Sequence, residues 1–235
     1  MSDTSALESF LEKWRHRWPE WSVAETFVPA DRRERVVAWF SLLQEFEDAM
    51  NIAGDPLPAD AKLAWWTEEL RSWQNRRSRH PLGRLLEPVS APWAALGDAL
   101  PAIIEARALD DDRDAAFAVL RDYGQAVAAI DNAVLGASAN PDAVIAQLLA
   151  QRMADRMHSP DARNAEAAQR QAATGAARGL LARWPQPASG AAERRMFDQH
   201  ARARLQGWAT HGTARPLPSR WRLLIASWNA ARRAR

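Results

Sequence analysis

Glu47, Asp48 and Asn51 are the residues whose types and spacing come nearest to a reactive site in this chain. Carboxylate oxygens are the ligands Mg²⁺ takes, and a carboxyl held away from water can also keep or move a proton. The three close the stretch DRRERVVAWFSLLQEFEDAMN, Asp31 to Asn51. Within it Val36, Phe40, Leu43, Glu47 and Met50 recur at i, i+4, i+7, i+11 and i+14, one face of an α-helix. Four of the five are apolar, so the face points into a core and takes Glu47 with it. A buried carboxylate without a partner is costly. Glu47 is therefore expected inside or on a cavity wall, satisfied by a basic or hydroxyl group; the alternative is a helix end fraying into solvent. Asp48 adjoins it, and Asn51 lies one turn further on the same side.

Groups that could face this wall come from two later segments. Ala116, Leu120, Tyr123, Val127, Ile130 and Val134 form the cleanest helical period in the chain, which predicts a central helix. Tyr123 falls on its buried face, where its hydroxyl needs a partner or a wet cavity. Asp131 adjoins the same stripe and is the best further candidate for an inward acid. In AQLLAQRMADRMHSPDAR, Asp155 stands between Arg152 and Arg156 without a DxxxD-type pair. The run Asp110–Asp114 could hold a metal, but its expected role is to cap and charge-stabilise the helix after it.

The elements that must position these groups are all helical. Leu7, Phe10, Leu11, Trp14, Trp18 and Trp21 predict a tryptophan-faced first helix, interrupted near Pro19. The loop Gly54-Asp55-Pro56 leads to a helix carrying Leu63, Trp66, Leu70 and Trp73, and His80-Pro81-Leu82 turns into a short helix through Leu86. Ser90-Ala91-Pro92 starts another segment, and Pro101 a further one. Asn140-Pro141-Asp142 caps a helix with Ile145, Leu148, Leu149, Met153 and Met157 inward. Ser159 to Arg183 is alanine-rich. Phe197, Ala201, Leu205 and Trp208 form the inner face of the next helix. A last one, after Ser219, is expected to turn Trp221, Leu224, Ile225 and Trp228 inward. No strand pattern or repeat occurs, so residues 1–235 read as one all-α domain.

Composition narrows the function classes. There is no cysteine, hence no disulfide, thiolate metal site or Cys nucleophile, and the histidines lack metal-ligand spacing. The start MSDTSALESF is no signal peptide, and no apolar run approaches a membrane span, so the expectation is a cytoplasmic protein, with peripheral membrane contact left open. No Gly-rich phosphate loop, nucleophile elbow or HExxH occurs. Net charge is only +2, yet residues 199–235 hold many arginines and no acid. Such a half can meet anionic membrane, nucleic acid or an acidic partner, and it can also be a solvated helix face; nucleic acid is not the expected partner.

Asp31 to Leu86 resembles the first two blocks of the squalene/phytoene synthase family. An arginine-rich start leads through aromatics to a DDxxD-like position, here Glu47-Asp48-Ala49-Met50-Asn51, and LxWWxxEL, a basic loop and HPLxxLL follow. Tyr123 and Leu135-Gly136 match a later helix moderately, and beyond them the likeness is weak. The resemblance implies a helical bundle of the type I isoprenoid synthase kind, with the helices around Phe40 and Val127 facing each other. It also implies head-to-head condensation of prenyl diphosphates, with Mg²⁺ between two acidic motifs. Only Asp48 of the first motif is an aspartate, and Asp131 or Asp155 is all that the second wall offers. That is too few hard ligands for a multi-ion cluster. The expectation is a scaffold that has lost most catalytic power, needing no cofactor and leaving Glu47, Asp48 and Asn51 as vestiges. Phe40, Tyr123, Asp131 and Asp155 would line a site for an isoprenoid or other apolar ligand, or the chain would serve a protein partner. The alternative is an active prenyl diphosphate-condensing transferase using Mg²⁺.

Overall fold

The helical periods of the sequence become helices wherever they occur. The computed structural model describes residues 3–52, 55–110, 112–157 and 166–232, and among these there is no strand. The helices are α1 (Asp3–Arg17), α2 (Trp21–Ala24), α3 (Arg33–Met50), α4 (Leu57–Trp73), α5 (Gly83–Leu86), α6 (Trp93–Ala99) and α7 (Pro101–Arg107). They continue as α8 (Arg113–Val119), α9 (Arg121–Leu135), α10 (Pro141–Met157), α11 (Glu166–Arg183), α12 (Ala192–His211) and α13 (Arg220–Arg232). Gly54, Asp111, His158 and the start of the alanine-rich stretch at Ser159 lie outside the described residues.

Tryptophan rings set the packing. Trp14 on α1, Trp18 just past its end and Trp21 on α2 are buried around the break at Pro19, as their spacing predicts. Phe40 stacks on Trp14, at 5.5 Å, and on Phe197, at 4.6 Å, and those two rings meet each other at 5.8 Å, tying α1, α3 and α12 together. Offset and edge-on aromatic pairs add to the area they bury, which makes this layer rigid. Helix α3 is buried on more than its one predicted face. Trp39, Leu42 and Phe46 are as enclosed as Val36 and Phe40, because α1, α4, α5, α7, α9 and α10 surround the helix. Trp39 reaches α9, donating its indole N–H to Asp131 Oδ1 at 2.6 Å.

The second block of the sequence builds a fixed corner. Glu69 on α4 is fully buried and accepts from Trp73 Nε1 and from the backbone N–H groups of Arg79 and His80. Burial pushes its carboxyl up, but these donors outweigh it and hold the group below its ordinary range. Nearby, α6 crosses α4 where Gly97 approaches the Thr67 carbonyl; a Cβ there would lie 2.9 Å from that oxygen.

Three expectations are corrected. The run from Ala116 to Val134 is two helices, broken at Leu120, with Asp112 capping only the short first one through Ala115 N–H. Asp110 does not cap. It binds Arg152 on α10, at 2.5 Å, and Arg156. Helix α13 has the opposite phase to the expected one: Leu223, Ser227 and Ala230 face inward, while Trp221, Ile225 and Trp228 are exposed. Small residues let α13 lie close on α12, where Ser227 meets His200 at 3.0 Å and Arg195 bonds the Ala230 and Ala231 carbonyls. No helix among the described residues is long and apolar enough to cross a membrane.

Candidate functional site: a closed polar seam

Glu47 is buried, as its place in the α3 period requires. Its partner is neither basic nor a hydroxyl. Gln147 on α10 donates Nε2–H to Glu47 Oε1 at 3.0 Å. Burial pushes the Glu47 carboxyl up to about 8, with Arg17 pulling the other way and Asp48 and Asp155 adding to the rise. Glu47 is therefore a neutral acid at pH 7, and it accepts a hydrogen bond as one.

The other two members of the first motif look elsewhere. Asp48 is partly exposed and pairs with Lys13 at 2.7 Å; Lys13 also holds Glu45 at 2.9 Å. Asn51 donates Nδ2–H to Asp155 Oδ2 at 2.7 Å, and Arg17 donates to the same oxygen at 2.7 Å. Asp155 thus does stand opposite the first motif, but the two walls touch. Arg152 closes the seam further by donating to the Met50 carbonyl at 2.6 Å, one of the free acceptors at the α3 C-terminus.

Behind the seam lies an ion pair without solvent access. Arg194 on α12 and Asp131 on α9 both have no exposed side-chain surface. Arg194 donates Nε–H to Oδ2 at 2.7 Å and Nη2–H to Oδ1 at 2.8 Å, a bidentate fork. Burial pulls the guanidinium down, but Asp131 outweighs it and holds it above its ordinary value. Its carbon lies 4.9 Å from the Phe40 ring centroid, and Nη1 reaches Gln147 Oε1 at 3.4 Å. Tyr123 is buried within reach of the fields of Glu47, Arg194 and Asp131, and burial pushes its hydroxyl up. Asp198, a turn below Arg194, is buried with Oδ1 unbonded among the described residues; burial pushes it up to about 7.

The predicted residues are therefore brought together in part. Glu47, Asn51 and Asp155 share the seam, Phe40, Tyr123 and Asp131 share the core behind it, and Asp48 belongs to a surface pair. Arg17, Gln147, Arg194 and Asp198 escaped the sequence reading. Arg194 and Asp198 precede Ala201 by seven and three residues, so extending the α12 period upstream would have placed both on the buried face. Gln147, Gln151 and Asp155 form an i, i+4, i+8 polar stripe on α10.

These residues do not fit a multi-ion magnesium–diphosphate cluster. Asp48, Asp155 and Asp131 each hold a protein cation, and Glu47 is neutral. Asn51 offers only one neutral oxygen. No group of three or more His, Cys, Asp or Glu side chains gathers among the described residues.

Open space adjoins the seam, with Arg17, Gln147 and Asp155 forming part of its wall. A cleft of about 1130 Å³ runs between α1, α10, α12 and the segment 214–226. Ala150, Ala154, Leu205, Trp208 and Leu223 supply its apolar lining, and Arg17, Arg204, Arg215 and Arg222 its cations. Two carboxylates also line it, and both are taken: Glu20 by Arg204, at 2.6 Å, and Asp155 by Arg17. Arg215 and Arg222 have no ion-pair partner among the described residues, and burial keeps His200 neutral by lowering its pKa.

No protein-family model matches the chain, and no curated protein or solved structure matches it.

Proposed function

We propose that this chain is a non-catalytic ligand-binding protein on a squalene/phytoene synthase-like helical scaffold. Its ligand is an elongated apolar molecule with an acidic head, an isoprenoid or a chain of similar size. The observation that carries this reading is the direct Asn51–Asp155 bond at 2.7 Å, with Glu47 on Gln147 beside it. Walls that bond each other leave no interval for cations and a diphosphate. Mg²⁺ would have to displace Lys13, Arg17 or Arg194 from the acids it needs, and displacing Arg194 would strand a buried charge. The cleft beside the seam supports the second half of the reading. Its volume suits a chain-like molecule, Ala150, Ala154, Leu205, Trp208 and Leu223 give it apolar wall, and Arg215 and Arg222 offer free donors to an acid.

Calorimetric titration with farnesyl diphosphate, once in EDTA and once in Mg²⁺, tests it. The same affinity is expected in both. The double change Arg215→Ala/Arg222→Ala is expected to weaken binding by on the order of tenfold or more, the scale of a lost charge-assisted bond. Affinity that appears only with Mg²⁺ would overturn the reading. Binding indifferent to both arginines would remove the cleft from it, and failure of both farnesyl diphosphate and farnesol to bind would leave a protein-interaction role.

A further inference from the structure

The outer face of α13 is apolar where a solvated helix would be polar. Trp221, Ile225 and Trp228, at i, i+4 and i+7, are 75%, 57% and 45% exposed, and Leu217 just before the helix is 53% exposed. Scattered single apolar residues on a surface need no explanation, but a stripe along one helix does. Arg215, Arg220, Arg222 and Arg232 surround the stripe and are all exposed, and Arg232 lies over the Trp228 ring at 4.3 Å. From residue 199 onward the chain carries no acid. On the elements packed against α13, Glu25 is paired with Arg15, Glu193 with Arg32, and Asp198 is buried. The face is therefore both greasy and positive.

We propose that this face of α13 docks flat on an anionic lipid surface, with Trp221, Ile225 and Trp228 in the interface and the arginines on acidic headgroups. An interfacial helix has this make-up: tryptophan and aliphatic side chains on one stripe and cations on its flanks. The exposed Ile225 and Leu217 argue against nucleic acid, whose backbone would use the arginines and leave these side chains in water. The inference goes beyond the cleft reading and does not rest on it: Arg215, Leu217 and Arg222 border the cleft, but Trp221, Ile225, Trp228, Arg220 and Arg232 do not line it.

Co-sedimentation of the full chain with vesicles tests the proposal. One set is phosphatidylcholine and the other equal parts phosphatidylcholine and phosphatidylglycerol. Binding to the anionic set should exceed that to the neutral set by on the order of tenfold or more and should fall with added salt. Trp221→Glu/Ile225→Glu, at exposed positions outside the core, should lose that binding by a similar factor. The same variant should keep its farnesyl diphosphate affinity, so failure here and failure of the cleft reading are separable. Equal binding to both sets, no binding, or unchanged binding by the variant would overturn the proposal. So would a preference for a DNA or RNA oligonucleotide over the anionic vesicles.

Discussion

Arg194→Ala is expected to destabilise the protein by about 3–5 kcal/mol, because it removes one partner of a fully buried pair. Asp131 would be left buried, with the Trp39 indole N–H as its remaining hydrogen-bond donor among the described residues. The cation would also be lost from the Phe40 and Phe197 rings, at 4.9 and 5.7 Å. Replacing both partners is a different experiment. Arg194→Met/Asp131→Leu should recover most of the loss, since an apolar pair of similar volume is close to neutral in such a place. A deficit of about 1–2 kcal/mol should persist, because the Trp39 donor then has no acceptor. Urea unfolding of the three variants reads these values. A single variant within about 0.5 kcal/mol of the parent, as at an unremarkable surface site, would place Arg194 outside the core.

Glu47→Gln acts in the other direction. In the folded chain Glu47 holds its proton up to about 8, against an ordinary value of 4.5 in the unfolded chain. Between those limits the folded state carries a proton the unfolded state has released. Stability is therefore full below pH 4.5 and falls as pH rises towards 8, at roughly 1.4 kcal/mol per pH unit. Asp198 adds a fall of the same sign between 3.8 and about 7. Glu45 and Glu69, both held low, oppose this at the acid end: their contributions stand above pH 4.5 and are lost as pH falls through their folded values. Maximal stability should thus lie in the mildly acidic range. The amide of Glu47→Gln can still accept from Gln147 and has no proton to lose. It should gain about 4 kcal/mol at pH 8, flatten the alkaline limb, and leave stability near pH 4.5 within about 1 kcal/mol. Melting curves across that range measure it. A parent that gains stability from pH 5 to 8 would refute the assignment.

Several elements could be read from the sequence because one physical signal governs each. The α3 period fixed the burial of Glu47, and prolines 19, 92 and 101 marked breaks where α1 ends and where α6 and α7 begin. The partner of Glu47 was not legible, since a period gives a face and never the group opposite it; that group proved to be an amide one hundred residues later. Arg194 was missed because a charged side chain at a core position looks like a surface residue until its acid is found. The α13 error has a different cause. Hydrophobic size favours the Trp221–Ile225–Trp228 stripe as the inner one, but closeness of approach favours Leu223, Ser227 and Ala230, with hydrogen bonds from His200 and Arg195 fixing the choice. The break at Leu120 leaves the apolar period intact, so nothing in the spacing announced it.

The central claim is that the acids of the candidate site are bound to one another's walls and to the protein's own cations, so that magnesium–diphosphate chemistry has no place there. Product analysis tests it most directly. The purified chain is incubated with farnesyl and geranylgeranyl diphosphates and Mg²⁺ or Mn²⁺, beside the variant Asn51→Asp. The account predicts no condensed hydrocarbon from either protein, since Asn51→Asp restores one carboxylate while Asp48, Asp131 and Asp155 stay paired with Lys13, Arg194 and Arg17. Metal-dependent formation of squalene, phytoene or their cyclopropyl precursors by the parent chain, abolished by Asp48→Ala, would contradict it.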